Sequence, residues 1–418
     1  ALSMASISLE AGPDPADSST ALRVARIAAI VACIGLMYSP PVSNLAILVT
    51  FVATLLVPDL RSRWRAAINH PAGWLALVFV GIVFIWCFVG EVRSWKHTAS
   101  ELWSWRKLAW FFLVLMLFDD DAWKRKLSMW FVVGAIPGVL LTFVAVSGLV
   151  PFPVDAEKLL RNTGTQGVSL SVAALVCFWW MLQPGLTRTQ RALWAFGFAI
   201  FLTNVMTVSV ARAAYLGIVV SVLVVGAFAL SRRHWVALIL VVGIVVPSVF
   251  YTSDRMQARV MKGVNEWRAA EVSVEPGSVG MRYIFYKHSL AIIERNWLLG
   301  SGTGSFNSAY IAQVKSMNYP EGNWRNMFTD DPHNQFIHTW IDQGLLGLVV
   351  FVAWIAAVVT QRRSAPPFRA LAAGMVLAWS AASMFNGHFR SFAEGHLLAT
   401  FAGAMVAASP RRVVMPPP

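Results

Sequence analysis

A stretch of about 20 mostly apolar residues is long enough to cross the hydrocarbon of a bilayer as a helix. This chain consists largely of such stretches. About twelve lie near positions 22–38, 43–58, 72–90, 103–118, 128–150, 166–183, 192–210, 213–231, 234–251, 334–360, 367–386 and 395–409. Short charged or Pro/Gly-bearing punctuation separates them. The second and fourth are short, and only Ala211-Arg212-Ala213 parts the seventh from the eighth, so the count is approximate. Inside lipid the backbone must satisfy its own N–H and C=O groups, which selects helices. The expected fold class is an all-α integral membrane protein of about twelve transmembrane helices.

Composition agrees: 57% of the residues are apolar and only 13% charged, against roughly 25% charged in soluble proteins. A soluble globular enzyme is excluded. Lys and Arg number 34 against 21 Asp and Glu, a net charge of +13, and the pI is near 10.2. In a soluble chain that balance would suggest nucleic acid. In a membrane chain it reflects Arg-rich loops facing anionic headgroups or an anionic substrate, and no nucleic-acid partner is expected. The three cysteines, Cys33, Cys87 and Cys177, lie in apolar runs and form neither a disulfide framework nor a Cys-x-x-Cys pair.

Basic residues resist translocation, so their placement in short loops sets orientation. One alternate set of loops holds Arg23 and Arg26; Arg61, Arg63 and Arg65; Lys124, Arg125 and Lys126; Arg188 and Arg191; Arg232 and Arg233; Arg362, Arg363 and Arg369; and Arg411 and Arg412. The short loops of the other set are poorer, with Arg93, Lys96, Arg106, Lys107, Lys158, Arg161, Arg212 and Arg390. Both termini are therefore expected to be cytoplasmic. The first twenty residues lack a basic region followed by an apolar core, so they do not read as a cleavable signal. The organisation expected is a cytoplasmic tail at 1–21, transmembrane helices 1–9 over 22–251, an outer (periplasmic) loop domain at 252–332, helices 10–12 over 333–410 and a second cytoplasmic tail at 411–418. The loop domain opens with a polar basic stretch from Ser253 to Arg259. A helical pattern follows from Met281 to Arg295, and then a glycine-rich break, Gly300-Ser301-Gly302-Thr303-Gly304-Ser305.

The residues able to carry chemistry collect where this loop meets the tenth run. His333 stands at the water–membrane boundary, preceded by Asp330, Asp331 and Pro332 and followed by Asn334. A neutral imidazole there can accept a proton from a sugar hydroxyl, with Asn334 or Asp331 fixing its tautomer. The same residues also read as a helix start with polar caps. Arg212 interrupts an apolar stretch and Arg282 opens the loop helix. A guanidinium suits a diphosphate because its planar fork donates two hydrogen bonds and never loses its charge; the plainer alternative is an interfacial side chain whose charge reaches water. Arg161 and Arg390 fit that alternative better. The glycine-rich break resembles a phosphate cradle but lacks the preceding strand and the Gly-Lys-Ser/Thr ending, and glycines that let the loop fold back tightly explain it better. Asp119-Asp120-Asp121 and Asp330-Asp331 can in principle hold a divalent cation. No recognised metal-ligand spacing accompanies them, and no metal is expected. His338, one turn inside the tenth run, and His288, His388 and His396 each read as structural. Arg161, Asn334, Asp331, His338 and Tyr215 are retained as secondary candidates.

Taken together, these segments resemble the O-antigen ligase family, within the wider group of polytopic O-antigen ligases and polymerases. The resemblance is carried by His333-Asn334, nine residues, then Gly344-Leu345-Leu346-Gly347; by Ser209-Val210-Ala211-Arg212-Ala213-Ala214-Tyr215; and by Gly280-Met281-Arg282 leading to Asn296-Trp297-Leu298-Leu299-Gly300-Ser301-Gly302. It is clearest from about 205 to 350. Two departures are the Ala211-Arg212 pair, where the family usually has Ser-Arg, and Asn296-Trp297, where Asn-Pro is common. Neither removes a presumed catalytic group.

The resemblance implies a GT-C type glycosyltransferase of the bacterial inner membrane. Such an enzyme moves polysaccharide from undecaprenyl diphosphate to a sugar of the lipid A core at the periplasmic face, inverting and without a metal or other cofactor. Its partners are the lipid-linked polysaccharide, the lipid A core and membrane lipid. It further implies that Arg212 and Arg282 clamp the diphosphate while His333 acts as base or orients the acceptor. An O-antigen polymerase and a protein O-oligosaccharyltransferase share the donor and differ only in the acceptor. The basic segment from Arg255 to Arg268 favours an anionic lipopolysaccharide core. A polysaccharide or lipid transporter is the non-enzymatic alternative; it would place charge near the midplane, often in paired repeats, and no repeat is present here.

Overall fold

The computed structural model describes residues 19–90, 94–150, 155–209, 211–252, 254–271 and 277–409, apart from the side chains of Arg212, Val249, Arg255, Met256 and Arg259. Both tails expected to be cytoplasmic, 1–18 of the first and all of the second, lie outside these residues, as does Arg93. Among the described residues all regular structure is helical: α1 Thr20–Tyr38, α2 Pro40–Leu55, α3 Leu60–Ile68, α4 Pro71–Ile85, α5 Trp95–Leu117, α6 Asp121–Ser147, α7 Thr163–Met181, α8 Arg188–Asn204, α9 Arg212–Ala229, α10 Arg232–Thr252, α11 Asp254–Arg268, α12 Ser278–Asn296, α13 Phe306–Ser316, α14 Gln335–Thr360, α15 Pro366–Ser383 and α16 Phe392–Val406.

Each of the twelve apolar runs forms a helix, but they differ in length and charge. Among the described residues seven helices are long and apolar enough to cross a membrane, or eight if α2 and α3, bent by 109°, form one broken span. The apolar parts of α9 and α16 are shorter. Many of the apolar side chains point outward, among them Leu45, Leu48, Phe51 and Leu56 of the α2 region and Leu240, Val241 and Ile244 of α10. In water such surfaces would be a liability; in lipid they are the solvated face. The chain is an all-α, multi-pass membrane protein.

The charged run Asp119-Asp120-Asp121 is held by groups of the protein itself. Asp119 pairs with Arg26 and Arg63, each at 2.8 Å. Asp120 caps α6 by accepting from Ala122 N at 2.7 Å, and Asp121 accepts from the buried Lys124 at 3.2 Å. Lys124 also reaches the carbonyl of Ala407 at 2.7 Å and the Ser364 and Ser409 hydroxyls at 3.2 Å, tying the start of α6 to the far ends of the helix pairs around it.

At the opposite end the loop segment between α10 and α14 folds back on the bundle. Phe285, Ile292, Ile293, Phe306, Tyr310, Val314 and Ile341 form an apolar cluster of their own joining α12, α13 and α14. The glycine-rich break then threads against α14. Ser301 N donates to Ile341 O at 2.7 Å and Gly302 N to Asp342 O at 3.0 Å. Those carbonyls are available because α14 is broken at Gly344, with φ 66° and ψ −169°. A Cβ on Gly344 would sit 2.3 Å from Leu298 O, and one on Gly300 would sit 2.4 Å from Gly344 N. Two glycines far apart in sequence thus let two backbones touch. Gly344→Ala adds both a forbidden backbone conformation and a clash. It is expected to destabilise by about 1–3 kcal/mol or more, which a thermal melt in detergent would read.

Candidate functional site

A cavity of about 720 Å³ opens at this same end, between the N-termini of α7 and α9, one face each of α11 and α12, and the loop joining α15 to α16. α11 supplies Val260, Gly263, Val264 and Trp267. Their 3- and 4-residue spacing is that of one helical face, carried in an otherwise charged sequence. α12 supplies Val279, Arg282, Tyr283 and Tyr286 on the same principle. Ala211 precedes α9, Ala213, Ala214 and Leu216 come from it, Thr163, Gly164 and Val168 from α7, and Phe385, Asn386 and His388 from the α15–α16 loop. Most of the lining is apolar, and the polar groups gather on α12 and this loop.

Arg282 is the cation in that wall whose side chain the structure describes. Its Nε is buried with no hydrogen-bond partner among the described residues. One Nη stands at 3.5 Å from Ser278 O, the outer limit of a hydrogen bond. A guanidinium in this condition is available to an anion. Arg212 begins α9 between Ala211 and Ala213, both in the wall, but its side chain lies outside the described residues.

His333 takes a left-handed conformation, φ 54°, which His tolerates better than most side chains but which still costs energy. The backbone is fixed from both sides. Its N–H donates to Asp331 Oδ1 at 2.8 Å, and the Tyr286 hydroxyl lies 3.1 Å from its carbonyl and 2.9 Å from that of Met384. Burial holds the Tyr286 phenol above its ordinary value, with the Arg282 charge acting the other way, so the phenol remains a donor. The imidazole stacks on Phe285 at 5.9 Å between centroids, and its Nδ1 is 3.5 Å from Asn386 Oδ1. Asn386 and Tyr286 line the cavity and His333 stands behind them.

Among the secondary candidates, Asp331 fixes the His333 backbone as described. Asn334 caps α14, accepting from Phe336 N at 3.0 Å and Ile337 N at 3.1 Å while donating to Met384 O at 3.0 Å. That is the capping alternative, realised. Asn334→Ala is expected to cost about 1–2 kcal/mol of stability by thermal melt. His338 is buried beside Asp342 at 3.6 Å and Glu101 at 3.9 Å. Asp342 accepts from Gly304 N at 2.8 Å and Phe306 N at 3.1 Å, and Glu101 meets Arg390 Nε at 3.1 Å. The three residues are close enough to hold a metal ion, yet Arg390 already supplies the positive charge and the backbone already occupies Asp342. Arg390 is therefore a partner in a buried ion pair rather than an interfacial side chain. Arg161 reaches Leu36 O at 3.3 Å and lies over the Phe392 ring. Tyr215 lies 3.4 Å from Met206 O, against the π-helical turn Val205–Ser209 that ends α8. Neither lines the cavity.

Sequence reasoning missed Tyr286 and Asn386, and it read His388, which also lines the cavity, as structural. Tyr286 lies four residues after Arg282 and was within reach of helical spacing; the others depend on how the α15–α16 loop closes over the cavity.

Fold and site define a multi-pass, all-α membrane protein with a cationic, mostly apolar cavity at one end of its bundle. The chain matches the O-antigen ligase family model over residues 197–352, from within α8 to within α14. No curated protein matches it. Members of the family are glycosyltransferase-like enzymes of glycan assembly acting on lipid-linked polysaccharide at the membrane.

Proposed function

We propose that the chain is an O-antigen ligase. It takes polysaccharide from undecaprenyl diphosphate and attaches it to a sugar of the lipid A core, with inversion and without a metal, at the periplasmic face of the inner membrane. In this reading the bundle is of GT-C type and crosses the bilayer about twelve times, with both termini cytoplasmic. The observation that carries it is Arg282, a guanidinium with an unpartnered buried Nε in a cavity whose other walls are largely apolar. Such a site suits a diphosphate that arrives attached to a lipid.

Displacement at an anomeric carbon needs a base for the incoming hydroxyl and a counter-charge for the departing diphosphate. Arg282, joined by Arg212 at the start of α9, supplies the counter-charge. His333, next to the cavity-lining Asn386, serves as base for the acceptor hydroxyl or orients it. The apolar faces of α9 and α11 hold the first isoprene units. No nucleotide is needed, since the donor is already activated. Lys262 and Arg268, exposed on α11, favour an anionic, phosphate-bearing core as acceptor over a protein or a neutral growing chain.

The test is transfer from purified undecaprenyl diphosphate-linked glycan onto lipid A core in detergent with EDTA present. The wild type is expected to transfer, and His333→Ala to lose about 10²-fold. Transfer only to a peptide or to a second donor chain would replace the acceptor named here and leave the donor site in place. Dependence on added divalent cation would overturn the metal-free reading.

A further inference from the structure

We propose that Tyr286 is a positioning residue for the transfer, its hydroxyl holding the His333 backbone so that the histidine keeps a fixed place relative to Arg282; the assignment rests on the transferase reading above. Arg282 and Tyr286 are one helical turn apart on α12, and both line the cavity. The hydroxyl lies 3.1 Å from His333 O and 2.9 Å from Met384 O. A phenol has one proton to donate, shared here between two carbonyls. Asn334 Nδ2 also donates to Met384 O, at 3.0 Å, so among the described residues the His333 carbonyl is the one that depends on the phenol.

His333 needs such a grip. Its φ of 54° lies in the left-handed region, which a non-glycine residue keeps only where its surroundings over-determine it. Asp331 Oδ1 accepts from the His333 N–H at 2.8 Å, and Asn386 Oδ1 stands 3.5 Å from the ring Nδ1. The other supports come from α12: Phe285 stacks on the imidazole at 5.9 Å between centroids, and Tyr286 reaches the carbonyl. The segment from Arg282 to Tyr286 therefore carries the cation, the stacking partner of the ring and the donor to the backbone. Phe285, Ile292 and Ile293 anchor α12 itself in the apolar cluster it shares with α13 and α14. One helix thus sets the separation between counter-charge and histidine, and a reacting constellation depends on that separation.

Without the hydroxyl the ring still fills its part of the wall, and Asn334 still holds the Met384 carbonyl. The His333 carbonyl loses its donor, and the left-handed turn is free to relax. The imidazole then shifts relative to the diphosphate site while Arg282 stays in place. A misplacement of about 1 Å between reacting groups can cost about 10²-fold in rate. The phenol proton is already committed to protein carbonyls, so the influence of Tyr286 passes through His333 rather than through a bond to substrate.

The test is a double-mutant cycle read in kcat and KM, with the lipid-linked donor and lipid A core in detergent. Tyr286→Phe keeps the ring and removes the donor. Its kcat is expected to fall about 10-fold or more, up to the about 10²-fold loss expected of His333→Ala, with KM for the donor within about threefold. In a His333→Ala background the same change is expected to cost less than about twofold, because a residue acting only through His333 has nothing left to position. A general loss of folding would weigh equally in both backgrounds. If Tyr286→Phe melts early, the kinetics are taken below its melting onset and the same cycle decides. Factors that multiply in the double variant, or a rise in donor KM at constant kcat, overturn the assignment. So does a Tyr286→Phe kcat within about threefold of wild type while Arg282→Ala is inactive, which leaves the donor site standing. A wild type that transfers to no acceptor overturns the transferase reading and the positioning role with it.

Discussion

Arg282→Ala is expected to abolish glycan transfer, lowering kcat by about 10³-fold, equivalent to about 4 kcal/mol of lost transition-state stabilisation. The size follows from the environment: the guanidinium lies in a largely apolar wall, so its field is weakly screened, and its buried Nε has no competing hydrogen bond to give up. In the proposed reaction charge on the diphosphate grows as the glycosidic bond breaks, so the loss is expected mainly on kcat rather than on donor binding. Arg282→Lys keeps the charge but not the fork, and should recover only a minor part. Steady-state kinetics over a range of donor concentrations separate these outcomes. A rise in KM at constant kcat would mean that Arg282 binds substrate and transition state equally.

The second large effect is on folding. Arg390→Met is expected to destabilise the protein by about 3–5 kcal/mol. It would leave Glu101, 2% exposed, without the guanidinium that meets it at 3.1 Å, and would release the carbonyl of Asp330, which Arg390 also holds. Removing both charges should cost much less: Glu101→Leu combined with Arg390→Met is expected to recover a large share of the loss, because an unpaired buried charge is worse than none. Thermal or denaturant unfolding in one detergent measures the cycle. Equal stability of the single and double variants would show that the pair is already solvated.

Much of the helical framework was legible because hydropathy over 20 residues is a strong, local signal. Each apolar run from 22–38 to 395–409 is a helix, and the pattern from Met281 to Arg295 lies within α12. α11 was not read, since its apolar residues are interleaved with Asp254, Arg255, Lys262 and Glu266 and only the fold shows which face turns inward. The site was legible where a charge stood out against an apolar background, as at Arg282. It was not legible at Asn386 and His388, loop residues that look ordinary until the chain turns them to the cavity. His333 stood out by sequence and proves to stand behind the cavity wall, while Asn334 proves to be a helix cap. Burial, which sequence does not report, decides between such cases.

The contact between Gly300 and Gly344 bears on how this architecture tolerates change. Main chain touches main chain there, so the frame around the cavity does not depend on which side chains line it. Val260, Val264, Trp267 and Leu216 can be exchanged to suit a differently shaped apolar occupant while Arg282 and the α15–α16 loop keep their stations. Diversification of what the cavity accepts is then a matter of repainting walls, with the masonry left alone.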